Sequence, residues 1–121
     1  MAHFRYIVHD VQNSIDFYVG LLSFKLIEQY GPAMAIVQRD DLELWLAGPM
    51  SSAASPMPDG SKPEPGGWNR IVLKVDDLDE FVASLKSKNV KFRNAIVTGP
   101  GGRQILLEDP SGNCVELFEA K

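Results

Sequence analysis

Apolar and polar positions alternate from His3 to Val8, with His3, Arg5 and Ile7 on one face and Phe4, Tyr6 and Val8 on the other. That two-residue period predicts a strand. Asp10 then stands as an N-cap before Val11, Ile15, Tyr18 and Leu22, whose spacings of four, three and four predict one face of a helix. Gly20 falls within that pattern and weakens it slightly. Three further strands are expected at Phe24 to Tyr30, Ala33 to Gln38 and Leu42 to Ala47, separated by the turns Gly31-Pro32 and Arg39-Asp40-Asp41. The predicted order is β-α-β-β-β.

The pattern stops at 48–67, where Pro49, Pro56, Pro58, Pro63 and Pro65 lie among Gly and Ser. Proline at that density opposes regular structure. A loop of this length is a spacer between half-domains or a cover over a cleft. The order then repeats. Asn69 to Val75 is the expected strand, and Asp77 caps a helix with Glu80 three residues on. Leu78, Phe81, Val82 and Leu85 form its apolar stripe, and Lys86 and Lys88 suit its C-terminal end. Strands are expected at Val90 to Arg93, Arg103 to Glu108 and Asn113 to Glu119, with turns at Gly99-Pro100-Gly101-Gly102 and Asp109-Pro110-Ser111-Gly112. A shift of 67 carries Asp10, Val11, Ile15 and Tyr18 onto Asp77, Leu78, Val82 and Leu85. The expectation is therefore an α+β chain: one domain over 1–121, built from two βαβββ modules, 1–47 and 68–121, with a Pro/Gly-rich linker at 48–67. The modules are expected to pack about a pseudo-twofold axis, their sheets forming a shared cleft.

Composition narrows the function classes without naming one. The chain has 121 residues, 45% hydrophobic and 23% charged, as expected of a compact globular domain. A formal charge of -4 offers no basic footprint for nucleic acid. No run approaches the roughly 18 apolar residues of a membrane span. Cys114 is the sole cysteine, which rules out an internal disulfide. The first residues lack the apolar stretch of a signal peptide, so a cytoplasmic location is expected.

The candidate chemistry lies in a phrase that occurs twice. Leu42-Glu43-Leu44-Trp45 and Val115-Glu116-Leu117-Phe118 each set one carboxylate among hydrophobes. A charge in such a place needs a partner or a task. The shift of 67 places Arg70 where the first module has His3, whereas the Glu phrases match only after a further shift of six. His3, Glu43, Arg70 and Glu116 are thus the candidate polar cluster. Trp45 and Phe118 share the faces of Glu43 and Glu116, an aromatic wall suited to a small-molecule pocket. Trp68 is placed to close the cleft or anchor the loop. Arg5, Lys74, His9 and Arg103 read as surface charges, and Cys114 as a small buried hydrophobe.

Asp10-Val11-Gln12-Asn13-Ser14-Ile15-Asp16-Phe17-Tyr18 and Glu108-Asp109-Pro110-Ser111-Gly112-Asn113-Cys114-Val115-Glu116-Leu117 resemble the vicinal oxygen chelate superfamily, which includes glyoxalase I, extradiol dioxygenases, fosfomycin resistance enzymes and bleomycin resistance proteins. The resemblance implies the paired-module fold with a cleft and, in the superfamily's enzymes, a divalent metal that chelates neighbouring substrate oxygens. Glyoxalase I is similar in placing His where His3 stands and Glu where Glu43 and Glu116 stand, but it has a second His where this chain has Arg70. Arginine stays protonated and offers no acceptor to a cation. If a metal binds, His3, Glu43 and Glu116 remain to hold it.

The expected function is a metal-independent, small-molecule-binding protein of the bleomycin-resistance type, without a cofactor. His3, Glu43, Trp45, Arg70, Glu116 and Phe118 are its expected ligand-binding residues. The resemblance implies a homodimer. Two alternatives carry catalysis. One is a divalent-metal-dependent lyase, isomerase or dioxygenase. The other is a metal-free enzyme with Glu43 or Glu116 as base and Arg70 as electrophile.

Overall fold

The computed structural model describes all 121 residues. They divide into two compact units, Met1–Gly66 and Gly67–Lys121. The first contains β1 (Ala2–Ile7), α1 (Val11–Leu21), β2 (Lys25–Tyr30), β3 (Met34–Arg39) and β4 (Leu42–Ala47). The second contains β5 (Ile71–Lys74), α2 (Leu78–Ser87), β6 (Val97–Gly99), β7 (Gly102–Glu108) and β8 (Cys114–Ala120). Each is a βαβββ unit with a four-stranded sheet, so the α+β class expected from the patterning is what the structure shows. No helix is long and apolar enough to cross a membrane.

The first sheet has the order β1-β4-β3-β2, with β1 parallel to β4 and the other pairs antiparallel. Asp10 caps α1 by accepting the Asn13 N–H at 2.8 Å. The predicted stripe of Val11, Ile15, Tyr18 and Leu22 is buried with Ala35, Val37, Leu44 and Leu46 of the sheet. Each large side chain in this layer contributes roughly 1.5–3 kcal/mol by leaving water. The layer between helix and sheet thus holds the unit together. Strand β2 is exposed along its whole length. A register shift between Leu26 and Glu28 bends it, which discourages pairing with another chain.

The second sheet repeats this design in the order β5-β8-β7-β6. Asp77 caps α2 through the Glu80 N–H at 3.1 Å. Leu78, Val82 and Leu85 are buried with Ile105, Leu107, Val115 and Leu117, while Phe81 is half-buried. The turn before β8 is organised by Asp109, which is 4% exposed. Its Oδ1 accepts the Ser111 and Asn113 N–H groups, both at 2.9 Å, and its Oδ2 accepts from the Asn113 side chain at 3.1 Å. Gly112 has φ +88, a conformation that L side chains rarely adopt. This turn sets the start of the strand that carries Glu116.

Two expectations change. Val90 to Arg93 forms no strand. It makes only the isolated bridge Phe92–Leu107, and the edge strand forms at Val97–Gly99. The 48–67 segment does contain local structure, a single 3-10 turn at Ser52–Ala54.

Candidate functional site

In the first unit the parallel pairing of β1 and β4 sets His3 beside Glu43 and Arg5 beside Trp45. Alternation sends Leu44 and Leu46 into the core and turns Glu43 and Trp45 to the opposite face. Glu43, with 18% of its side chain exposed, accepts the Trp45 indole N–H through Oε1 at 2.8 Å. The His3 Nε2 lies 3.5 Å from the same oxygen, an ion pair only when the imidazole is protonated. The His3 ring meets Trp45 edge-on at 5.6 Å, and the Arg5 guanidinium sits 5.0 Å from the indole centroid. Arg5 is therefore a cation–π partner of Trp45 rather than a plain surface charge. Three neighbours fix the position of the indole.

Beside Trp45 lies a cavity of about 550 Å³ lined mainly by Tyr30, Met34, Ile36, Met50 and Ser51. Ile36 is the register partner of Trp45 across β3 and β4. The wall from the 48–52 loop is fixed. The Gly48 N–H donates to Ala33 O at 2.8 Å, and the Ser51 N–H and hydroxyl return to Gly48 O at 3.0 and 2.7 Å. A Cβ at Gly48 would stand 2.7 Å from Val11 Cγ2, so the close approach requires glycine.

In the second unit Arg70 immediately precedes β5. Its Nε donates to Glu116 Oε1 at 3.1 Å, and its Nη1 donates to Trp68 O at 3.2 Å. Glu116 is 8% exposed. The two Glu phrases do not occupy matching register positions. Glu43 faces His3 directly, whereas Glu116 faces Val72 and Arg70 reaches it from farther back. The long arginine side chain spans that offset. Phe118 follows on the same strand face, in register with Lys74 of β5 and Gln104 of β7. The structure thus brings together His3, Glu43 and Trp45 in one unit, and Arg70 with Glu116 in the other.

Several charged residues have structural partners. Trp68 is 68% exposed and stacks on Arg93 at 4.6 Å, which anchors the end of the loop. Arg93, which no local pattern singled out, donates to Glu108 Oε2 at 2.8 Å, Gly67 O at 2.8 Å and Gly112 O at 3.1 Å. Arg103 lies in β7, within the expected strand. It bridges Asp79 and Glu119, each at 2.9 Å, while Glu119 Oε2 accepts the Leu78 N–H at 2.8 Å. This backbone bond and Arg103 hold the Glu119 carboxyl below its usual range. Cys114 is fully buried, and burial pushes its thiol pKa up, opposing a reactive thiolate.

With this geometry in place, the comparisons assign a family. The model of the Glyoxalase/Bleomycin resistance protein/Dioxygenase superfamily matches residues 1–117. The chain belongs to that superfamily. A relative of this superfamily member, "Uncharacterized protein YaeR" of Escherichia coli (strain K12), is 30% identical over 120 residues, covering 97% of this chain and 93% of its own. A superfamily structure from Sphaerobacter thermophilus is 30% identical with a TM-score of 0.78, covering 98% of this chain and 96% of that one. TnmS3, described as an antibiotic binding protein from a Streptomyces species, is 28% identical with a TM-score of 0.75, covering 98% and 93% of the two chains. At 17% identity and a TM-score of 0.78, with 98% and 92% covered, the lactoylglutathione lyase of Agrobacterium tumefaciens shows likeness of fold alone.

Proposed function

We propose that this superfamily member is a metal-independent, small-molecule-binding protein of the bleomycin-resistance type. The observation that carries the reading is the Arg70–Glu116 pair. A guanidinium is a fixed cation with no lone pair to offer a metal, and it already engages the carboxylate that a metal would need. The remaining donors do not fit a divalent ion. His3 and Glu43 supply two ligands, and one Glu43 oxygen already accepts the Trp45 N–H.

In this reading each unit presents a ligand-facing patch. His3, Glu43 and Trp45 form one, and Arg70, Glu116 and Phe118 form the other. The antibiotic-binding role of TnmS3, at 28% identity, supports binding over turnover. The reading includes a homodimer and a cytoplasmic location.

Metal analysis of protein purified without chelator tests it. The expected result is a metal-free protein that gains a divalent ion on Arg70→His substitution. A stoichiometric ion in the unmodified protein would overturn the reading in favour of a metal-dependent lyase, isomerase or dioxygenase.

A further inference from the structure

We propose that the cavity beside Trp45 is the binding pocket for an uncharged, planar aromatic ring system. The inference rests on the small-molecule-binding reading and names the ligand class that the first unit accepts. Two aromatic rings, Trp45 and Tyr30, line the cavity with the thioethers of Met34 and Met50 and the branched chain of Ile36. Aromatic rings and polarisable sulfur both favour contact with a flat π-system. No charged side chain lines the space. A charged ligand would find no ion-pair partner among the lining side chains.

Two polar groups of the wall are already committed. The Trp45 N–H donates to Glu43 and the Ser51 hydroxyl donates to Gly48 O. The volume of about 550 Å³ lies within the roughly 300–1,000 Å³ of pockets for drug-sized ligands. The site is also preorganised. Glu43, His3 and Arg5 hold the indole, and the bonds around Gly48 hold the opposite wall. A ligand therefore need not order either wall on entering.

The chain has two tryptophans, so a Trp68→Phe background leaves Trp45 as the sole indole reporter. The uncharged fluorophore N-phenyl-1-naphthylamine is titrated against Trp45 emission. Saturable quenching with one site per chain is expected. Ile36→Trp, which fills the cavity, should raise Kd by roughly tenfold or more. Met50→Glu at the exposed lip should also weaken binding, and it carries the test if Ile36→Trp does not fold. 8-Anilinonaphthalene-1-sulfonate, which adds a charge to the same ring system, should bind roughly tenfold more weakly than the neutral probe.

Absence of saturable quenching, binding unchanged by the variant, or equal affinity for the sulfonate would overturn the proposal. A second copy of the chain covering the cavity would give the first of these outcomes. Metal content of the same preparation separates the two readings. Probe binding by a metal-loaded protein would overturn only the metal-free reading, and a metal-free protein that ignores the probe would overturn only the pocket.

Discussion

Arg70 reaches Glu116 from outside the register of their strands, closing a 3.1 Å contact to a carboxylate whose own strand partner is Val72. Only 10% of the Glu116 side chain is exposed, against 29% for Arg70. Removing the guanidinium strands a poorly hydrated carboxylate. Arg70→Ala should therefore cost about 2 kcal/mol in chemical denaturation, less than the roughly 3–5 kcal/mol of a fully buried pair. Adding Glu116→Gln should recover about 1 kcal/mol, because the stranded charge is gone. Equal stability of the single and double variants would show that the pair does not couple.

Acid should act first on the start of α2. The Glu119 carboxyl is held low by the Leu78 N–H and then by Arg103, and Arg103 also holds Asp79 low. A carboxyl with a depressed folded pKa contributes stability above its unfolded value, and that contribution fades as pH falls through the folded value. Urea midpoints should hold steady from pH 7 to pH 5 and drop below about pH 4. Glu119→Gln cannot titrate, so its midpoint should start lower at pH 7 and change less on acidification. A drop as steep as that of the unmodified protein would place the acid sensitivity elsewhere.

Arg93 should tolerate no conservative exchange. Its planar fork serves Glu108, Gly67 O and Gly112 O at once while stacking on Trp68. Lysine keeps the charge but cannot match that geometry. Arg93→Lys should lower stability by about 2 kcal/mol, whereas Trp68→Phe, at an exposed ring, should cost less than about 0.5 kcal/mol. Thermal unfolding of both variants measures the difference directly. A lysine variant as stable as the parent would refute the importance of the fork.

The sequence disclosed what is decided locally. The stripes of α1 and α2, the caps at Asp10 and Asp77, and the strand carrying Glu43 depend on neighbours within one or two turns. Val90 to Arg93 looked like a strand because its residues suit one, but only Phe92 finds a bridge partner. Arg93 and Glu119 gave no sequence signal, because their partners lie 15 to 41 residues away. The Trp45 cavity was half legible. Period two along β3 separates Met34 and Ile36 from the buried Ala35 and Val37. Only the pairing of Ile36 with Trp45 shows that they share that aromatic wall.

The position of β8 in its sheet has a consequence for the order of assembly. It is the last strand in sequence, yet it lies between β5 and β7 and supplies the acceptor for Leu78. Until Cys114–Ala120 is in place, β5 has no neighbour and α2 lacks a bond at its first residue. The first unit has all its strands once Ala47 has been made. During synthesis the amino-terminal sheet can close, and its Trp45 cavity follows once Ser52 is made, while its companion still waits for its central strand.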